Sequence, residues 1–189
     1  MQTSVTASVR QLFDADDTTA DVDLDYGTDG AGSELYTLTL DQDETQDGDI
    51  TSGFYTYGEN GEKGDPIYLV EEGGVIYGVL LGDETSDAFF TISIIGDQAT
   101  ADAANALSGA QEGEANYVEV GDMTFTQLAN VWHPDDAKYD EGGPTVDDAR
   151  LLVGNATLNV NQTLTDADGD SSTVTVSYTH LTLPTILRV

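Results

Sequence analysis

A formal charge of −31, the balance of 36 Asp and Glu against 5 Lys and Arg in 189 residues, is the strongest constraint on what this chain can fold into. Self-repulsion on that scale opposes compaction, and the hydrophobic share of 39% supplies only a modest core against it, so a cationic counterpart is expected. The same field repels phosphate backbones and anionic bilayers, which argues against nucleic-acid binding and electrostatic membrane docking. There is no cysteine, which removes disulfides, thiolate metal sites and cysteine nucleophiles together. With only His133 and His180 to offer imidazole, a transition-metal cluster is not expected, and any metal chemistry is that of hard oxygen ligands. No apolar run approaches a membrane span, and Met1 to Arg10 lacks the basic-then-apolar layout of a secretory leader. Length makes a single principal domain the default.

The chain reads as short strands separated by turn signals. Asp21–Tyr26 alternates acid with apolar residues, and Leu35–Leu40 alternates apolar with Thr, as half-buried strands do. Further strands are expected over Phe54–Tyr57, Pro66–Val70, Val75–Leu81, Ala88–Ile95, Tyr117–Val120, Met123–Thr126, Ala156–Val160 and Ser172–Val176. Gly73-Gly74 between Ile67–Val70 and Val75–Val79 marks a hairpin. Two brief helices are expected, one in the Ala-rich run Thr100–Leu107 and one where Leu128, Val131 and Trp132 recur at i, i+3, i+4. Neither supplies the repeated helices of a parallel α/β sheet, so the reading is all-β: an Ig-like or Greek-key-type sandwich with short helical insertions.

The most specific chemical motif is Thr165-Asp166-Ala167-Asp168-Gly169-Asp170, just before the last of those strands. Ca²⁺ gathers six to eight oxygens, so carboxylates must converge on one point, and alternating Asp around a glycine turn permits this. Asp166, Asp168 and Asp170 are therefore the first-choice metal ligands, against the alternative of a solvated Asp/Gly turn. The motif is not an EF-hand: its glycine follows the second Asp, and the twelfth position holds Ser177 instead of Glu. A second cluster, Asp14, Asp16 and Asp17, is a further candidate at the other end of the chain, while Asp41, Asp43, Asp47 and Asp49 read better as a solvated turn. His133-Pro134-Asp135-Asp136 offers a fragment of a catalytic dyad, but no nucleophile with a convergent base can be named, and no enzyme activity is expected.

The ordered set formed by Asp25–Ala31 (DYGTDGA), Pro66–Thr91 (PIYLVEEGGVIYGVLLGDETSDAFFT), Met123–Asp136 (MTFTQLANVWHPDD) and Leu164–Thr173 (LTDADGDSST) resembles one repeat module of giant bacterial adhesins, the repeats-in-toxin-related surface proteins exported by type I secretion. The resemblance covers about Asp21 to Val174. It implies an extracellular, cell-surface protein of tandem β-sandwich modules that bind Ca²⁺ largely at their ends and form a stalk presenting a distal ligand-binding domain. Partners would be neighbouring modules of the same chain, with surface or glycan ligands engaged through other domains. Residues 1–20 are then an acidic inter-module linker and 21–175 the module. Val176–Thr185 resembles the translation of a transposase-type sequencing adapter, so 176–189 is expected to be a non-native tail on a chain whose gene ran on.

The leading expectation is a calcium-stabilised stalk module. Three others stand beside it: a carbohydrate- or surface-binding sandwich using aromatics such as Tyr55, Tyr57 and Trp132, an enzyme built on an undetected carboxylate pair, and plain halophilic acidity without specific sites.

Overall fold

The computed structural model describes residues 3–14, 24–42, 49–59, 61–132, 150–152, 156–178 and 180–182. The fold is all-β, with two antiparallel sheets packed face to face and one short helix. The larger sheet has six strands: β1 (Thr3–Ser8), β3 (Thr51–Tyr57), β4 (Lys63–Glu72), β5 (Val75–Val79), β6 (Phe90–Ile94) and β7 (Asp122–Gln127), in the order β1-β7-β6-β5-β4-β3. The smaller has β2 (Ala31–Gln42), β9 (Ala156–Asp166) and β10 (Ser171–Tyr178), in the order β10-β9-β2. A separate ribbon pairs β8 (Arg150–Leu152) with β11 (His180–Thr182).

Period-two alternation builds the core directly. Tyr36 and Leu38 of β2 and Leu158 and Val160 of β9 face Phe54, Ile67, Leu69, Ile76, Phe90, Ile92 and Phe125 of the larger sheet in one buried cluster. Phe90 stacks on Phe125 at 5.2 Å and meets Phe54 edge-on at 5.6 Å. Gly78 leaves room for this ring, because a Cβ there would run into Phe90. Tyr36 brings its polar tip into the core with partners: its hydroxyl accepts from Gln162 Nε2 at 2.7 Å and donates to Glu34 at 3.2 Å, and Glu34 pairs with Arg10 at 3.2 Å. That ion pair ties the turn after β1 to β2, one sheet to the other.

Gly73 and Gly74, at φ 62° and 79°, make the two-residue turn joining β4 to β5, as the sequence implies. The Ala-rich run is the helix α1 (Gln98–Ser108), capped by the Asp97 side chain on the Thr100 N–H at 2.8 Å. Three expected elements differ. Leu128–Trp132 is not helical, because Trp132 exchanges both backbone hydrogen bonds with Tyr55 and Val131 enters the core. Tyr117–Val120 is not a strand: the Asn105 side chain donates to Val118 O at 2.8 Å and accepts from its N–H at 2.9 Å, so one amide satisfies the chain that a neighbouring strand would have paired. Of Asp21–Tyr26, Leu24–Tyr26 is irregular and Asp21–Asp23 lies outside the described residues. Thr3–Ser8, within the segment read as a linker, is paired along its length with β7.

Candidate metal centre

The smaller sheet ends where β9 turns into β10, and the TDADGD motif is that turn. Asp166 closes it. Its N–H donates to Asp170 O at 2.9 Å, and its carboxylate oxygen Oδ1 accepts the N–H groups of Gly169 at 3.0 Å and Asp170 at 2.8 Å. Gly169 supplies the φ of 101° that the turn requires. Its side chain thereby fixed, Asp166 holds one oxygen inward while the turn lifts Asp168 beside it.

The third carboxylate comes from the other end of the sequence. Antiparallel pairing of β2 with β9 puts Ala31 opposite Asp166 and Ser33 opposite Thr165, with Gly32 bulged between them. A Cβ at Gly32 would strike the backbone carbonyls of Asp166 and Thr165, so glycine is what allows the strands to approach here. Ala167 N–H donates to Gly30 O at 3.2 Å and locks the Asp25–Gly30 loop against the turn. Within that loop Asp25 Oδ1 accepts the Gly27 N–H at 2.9 Å, and Asp29 is delivered to the TDADGD turn.

Asp29, Asp166 and Asp168 consequently present ligand oxygens that all lie within 4.8 Å of one another. Two oxygens on one Ca²⁺, each about 2.3–2.6 Å from the ion, are at most about 5 Å apart, so the spacing fits. The donor set is oxygen only, which suits a hard cation and not zinc or copper. Asp29 and Asp168 are exposed and Asp166 half-buried, leaving room for carbonyls and water to complete the shell.

The Asp166 carboxyl titrates below the ordinary aspartate range, first through a hydrogen bond with the Asp168 carboxyl and then through the N–H groups of Asp170, Gly169 and Asp168, which together outweigh desolvation. A bond between two carboxyls needs a shared proton. Without that proton, carboxylates this close repel, the situation a divalent cation relieves. Because the folded pKa is depressed, the contribution of ionised Asp166 is fully present above the ordinary aspartate value of about 3.9 and is lost as pH falls through the lower folded value. In EDTA, the melting-temperature advantage of wild type over Asp166→Asn should therefore be constant from about pH 7 to 5 and shrink below about pH 4. An advantage unchanged down to about pH 2 would contradict the assignment.

Of the residues singled out from sequence, Asp166 and Asp168 come together. Asp170 takes part through its backbone, and its carboxylate is not in the converging group. Asp14 follows the 3-10 turn Arg10–Phe13 and is likewise outside that group, while Asp16, Asp17 and His133 lie outside the described residues. Asp41 accepts from Asn159 Nδ2 at 2.8 Å. Sequence reasoning missed Asp29 as a member of this group. It carries the same Asp-Gly signal as Asp168-Gly169, but only the β2–β9 register reveals that the two loops share one sheet end.

Among the described residues no helix is long and apolar enough to cross a membrane. A family model described as "Domain of unknown function (DUF5801)" matches residues 1–178, which takes in β1 and all of β10. No curated protein and no solved structure matches the chain.

Proposed function

The chain belongs to the DUF5801 family of domains of unknown function, and from that premise we propose that it is a calcium-stabilised structural module, an extender in the stalk of a large secreted bacterial adhesin. The observation that carries the reading is the meeting of Asp29 with Asp166 and Asp168. The two loops involved are DYGTDGA and TDADGD, the first and last pieces of the adhesin-like pattern, and a shared ion gives a physical reason for both to be present. Bound Ca²⁺ would neutralise carboxylates that otherwise repel, cross-link the entry of β2 to the β9–β10 turn, and add its binding free energy to folding. Affinities of about 10⁻⁴–10⁻³ M serve extracellular modules, so such a chain would be loosely held in a calcium-poor cytosol and ordered outside it. The role requires no catalysis.

Calcium titration by calorimetry tests the site itself. Saturable binding should be seen, and weakened at least tenfold in Asp29→Ala and in Asp168→Ala, with Asp170→Ala close to wild type. Equal affinity in Asp29→Ala and wild type would sink the site.

A further inference from the structure

Among the described residues, one broad surface carries an acid only at its hairpin tip, Glu72: the outward face of β3, β4 and β5. Register fixes what that face carries. Ile67, Leu69 and Ile76 point into the core, so Tyr68 points outward, and Tyr77, paired with Val70, does the same. Tyr55, paired with Pro66, shares the face, and beyond a shift in the β3–β4 register Tyr57, paired with Lys63, is 53% exposed. Trp132 joins through reciprocal backbone bonds with Tyr55 of 3.0 and 2.7 Å, its ring meeting Tyr55 edge-on at 5.9 Å. Lys63 completes the group, with Nζ 3.5 Å from the Tyr55 ring centre and 6.0 Å from that of Trp132. Four of the nine tyrosines and the single tryptophan are thus gathered on one side of one sheet.

We propose that this face binds an uncharged polysaccharide. Tyrosine and tryptophan offer large, rigid contact area at small entropic cost, apolar on the ring and polar at the tip, which matches a sugar ring with its C–H faces and hydroxyl rim. Several rings here are held in place before any ligand arrives: Tyr55 is gripped by Trp132 and Lys63, and each tyrosine rises from a paired strand. Along β4 the outward positions run Pro66, Tyr68, Val70, and the first acid in that row is Glu72 at the hairpin tip, where it accepts from Thr85. Across the sheet the row beginning at Tyr77 continues through Thr91, Thr126 and Ser4, hydroxyls that extend the polar complement. Charge selects the occupant. A polyanion, or a second copy of this chain, would approach against a charge of −31, whereas a neutral polymer meets no such penalty.

Affinity electrophoresis of the full chain in gels containing dextran, laminarin or hydroxyethyl cellulose tests the proposal, with emission from Trp132, the chain's single tryptophan, as the second readout. At least one of these neutral polymers should retard wild type and shift its emission, equally in Ca²⁺ and in EDTA wherever melting shows the chain folded, since the aromatic face is separate from the three-aspartate site. Trp132→Ala and Tyr77→Ala should weaken retardation at least tenfold, and Tyr57→Ala should weaken it without changing the melting temperature. Three results would overturn the proposal: no retardation by any of the three polymers, equal retardation of wild type and Tyr57→Ala, or preferential retardation by alginate. Concentration-dependent dimerisation lost in Tyr57→Ala would likewise assign the face to a second copy instead.

Discussion

Replacing about 10 mM CaCl₂ with EDTA should lower the melting temperature by roughly 5–11 °C. A site of Kd about 10⁻⁴ M is then at about 100 times its dissociation constant, which stabilises the folded state by about 2.7 kcal/mol. For a chain of this length each kcal/mol moves the midpoint by about 2–4 °C. Screening cannot imitate the effect if the comparison is made at matched ionic strength, because diffuse counterions act on all 36 acids while a coordinated ion acts on three. Differential scanning calorimetry at matched ionic strength, with Mg²⁺ and KCl as alternatives to Ca²⁺, provides the check. Identical curves in Ca²⁺ and EDTA would remove the basis for a structural calcium, and a response to molar KCl alone would mark the acidity as that of a halophile.

Asp166→Ala should be the most damaging change at the site, for two separable reasons. The side chain is one of three converging carboxylates, so the calcium increment should vanish. It is also the acceptor that closes the β9–β10 turn, holding the N–H groups of Gly169 and Asp170. Its loss should therefore lower the melting temperature in EDTA as well, by a further few degrees. Asp168→Ala separates the two roles: it should remove part of the calcium increment and leave the EDTA midpoint near wild type, because no hydrogen bond closing the turn depends on its side chain. If Asp168→Ala proved as damaging in EDTA as Asp166→Ala, the division of labour between ligand and turn would be wrong.

Much of the architecture was legible because it rests on local alternation. Leu35–Leu40, Pro66–Val70 and Met123–Thr126 all fall inside strands of the structure, and Gly73-Gly74 marks the turn where two positive φ angles occur. Misreadings arose where a distant group substituted for a local rule. Asn105 satisfies Val118 in place of a strand neighbour, and Tyr55 recruits Trp132 into a bridge where spacing suggested a helix. In β1, Thr3–Ser8 lacks strong alternation and becomes a strand because β7 offers it an edge.

The sequence by itself determined an all-β chain, the exclusion of thiolate ligands, and the Asp166-Ala167-Asp168-Gly169 turn, since alternation, the absence of cysteine and turn geometry depend on composition and near neighbours alone. Only the tertiary structure decided that Asp29, not Asp170, joins Asp166 and Asp168, and that five aromatic side chains gather on the outer side of one sheet. Both outcomes depend on strand register, the first also on the bulge at Gly32, and register is settled by the packing of all strands together, because a slip of one residue would turn every side chain of a strand to the opposite face.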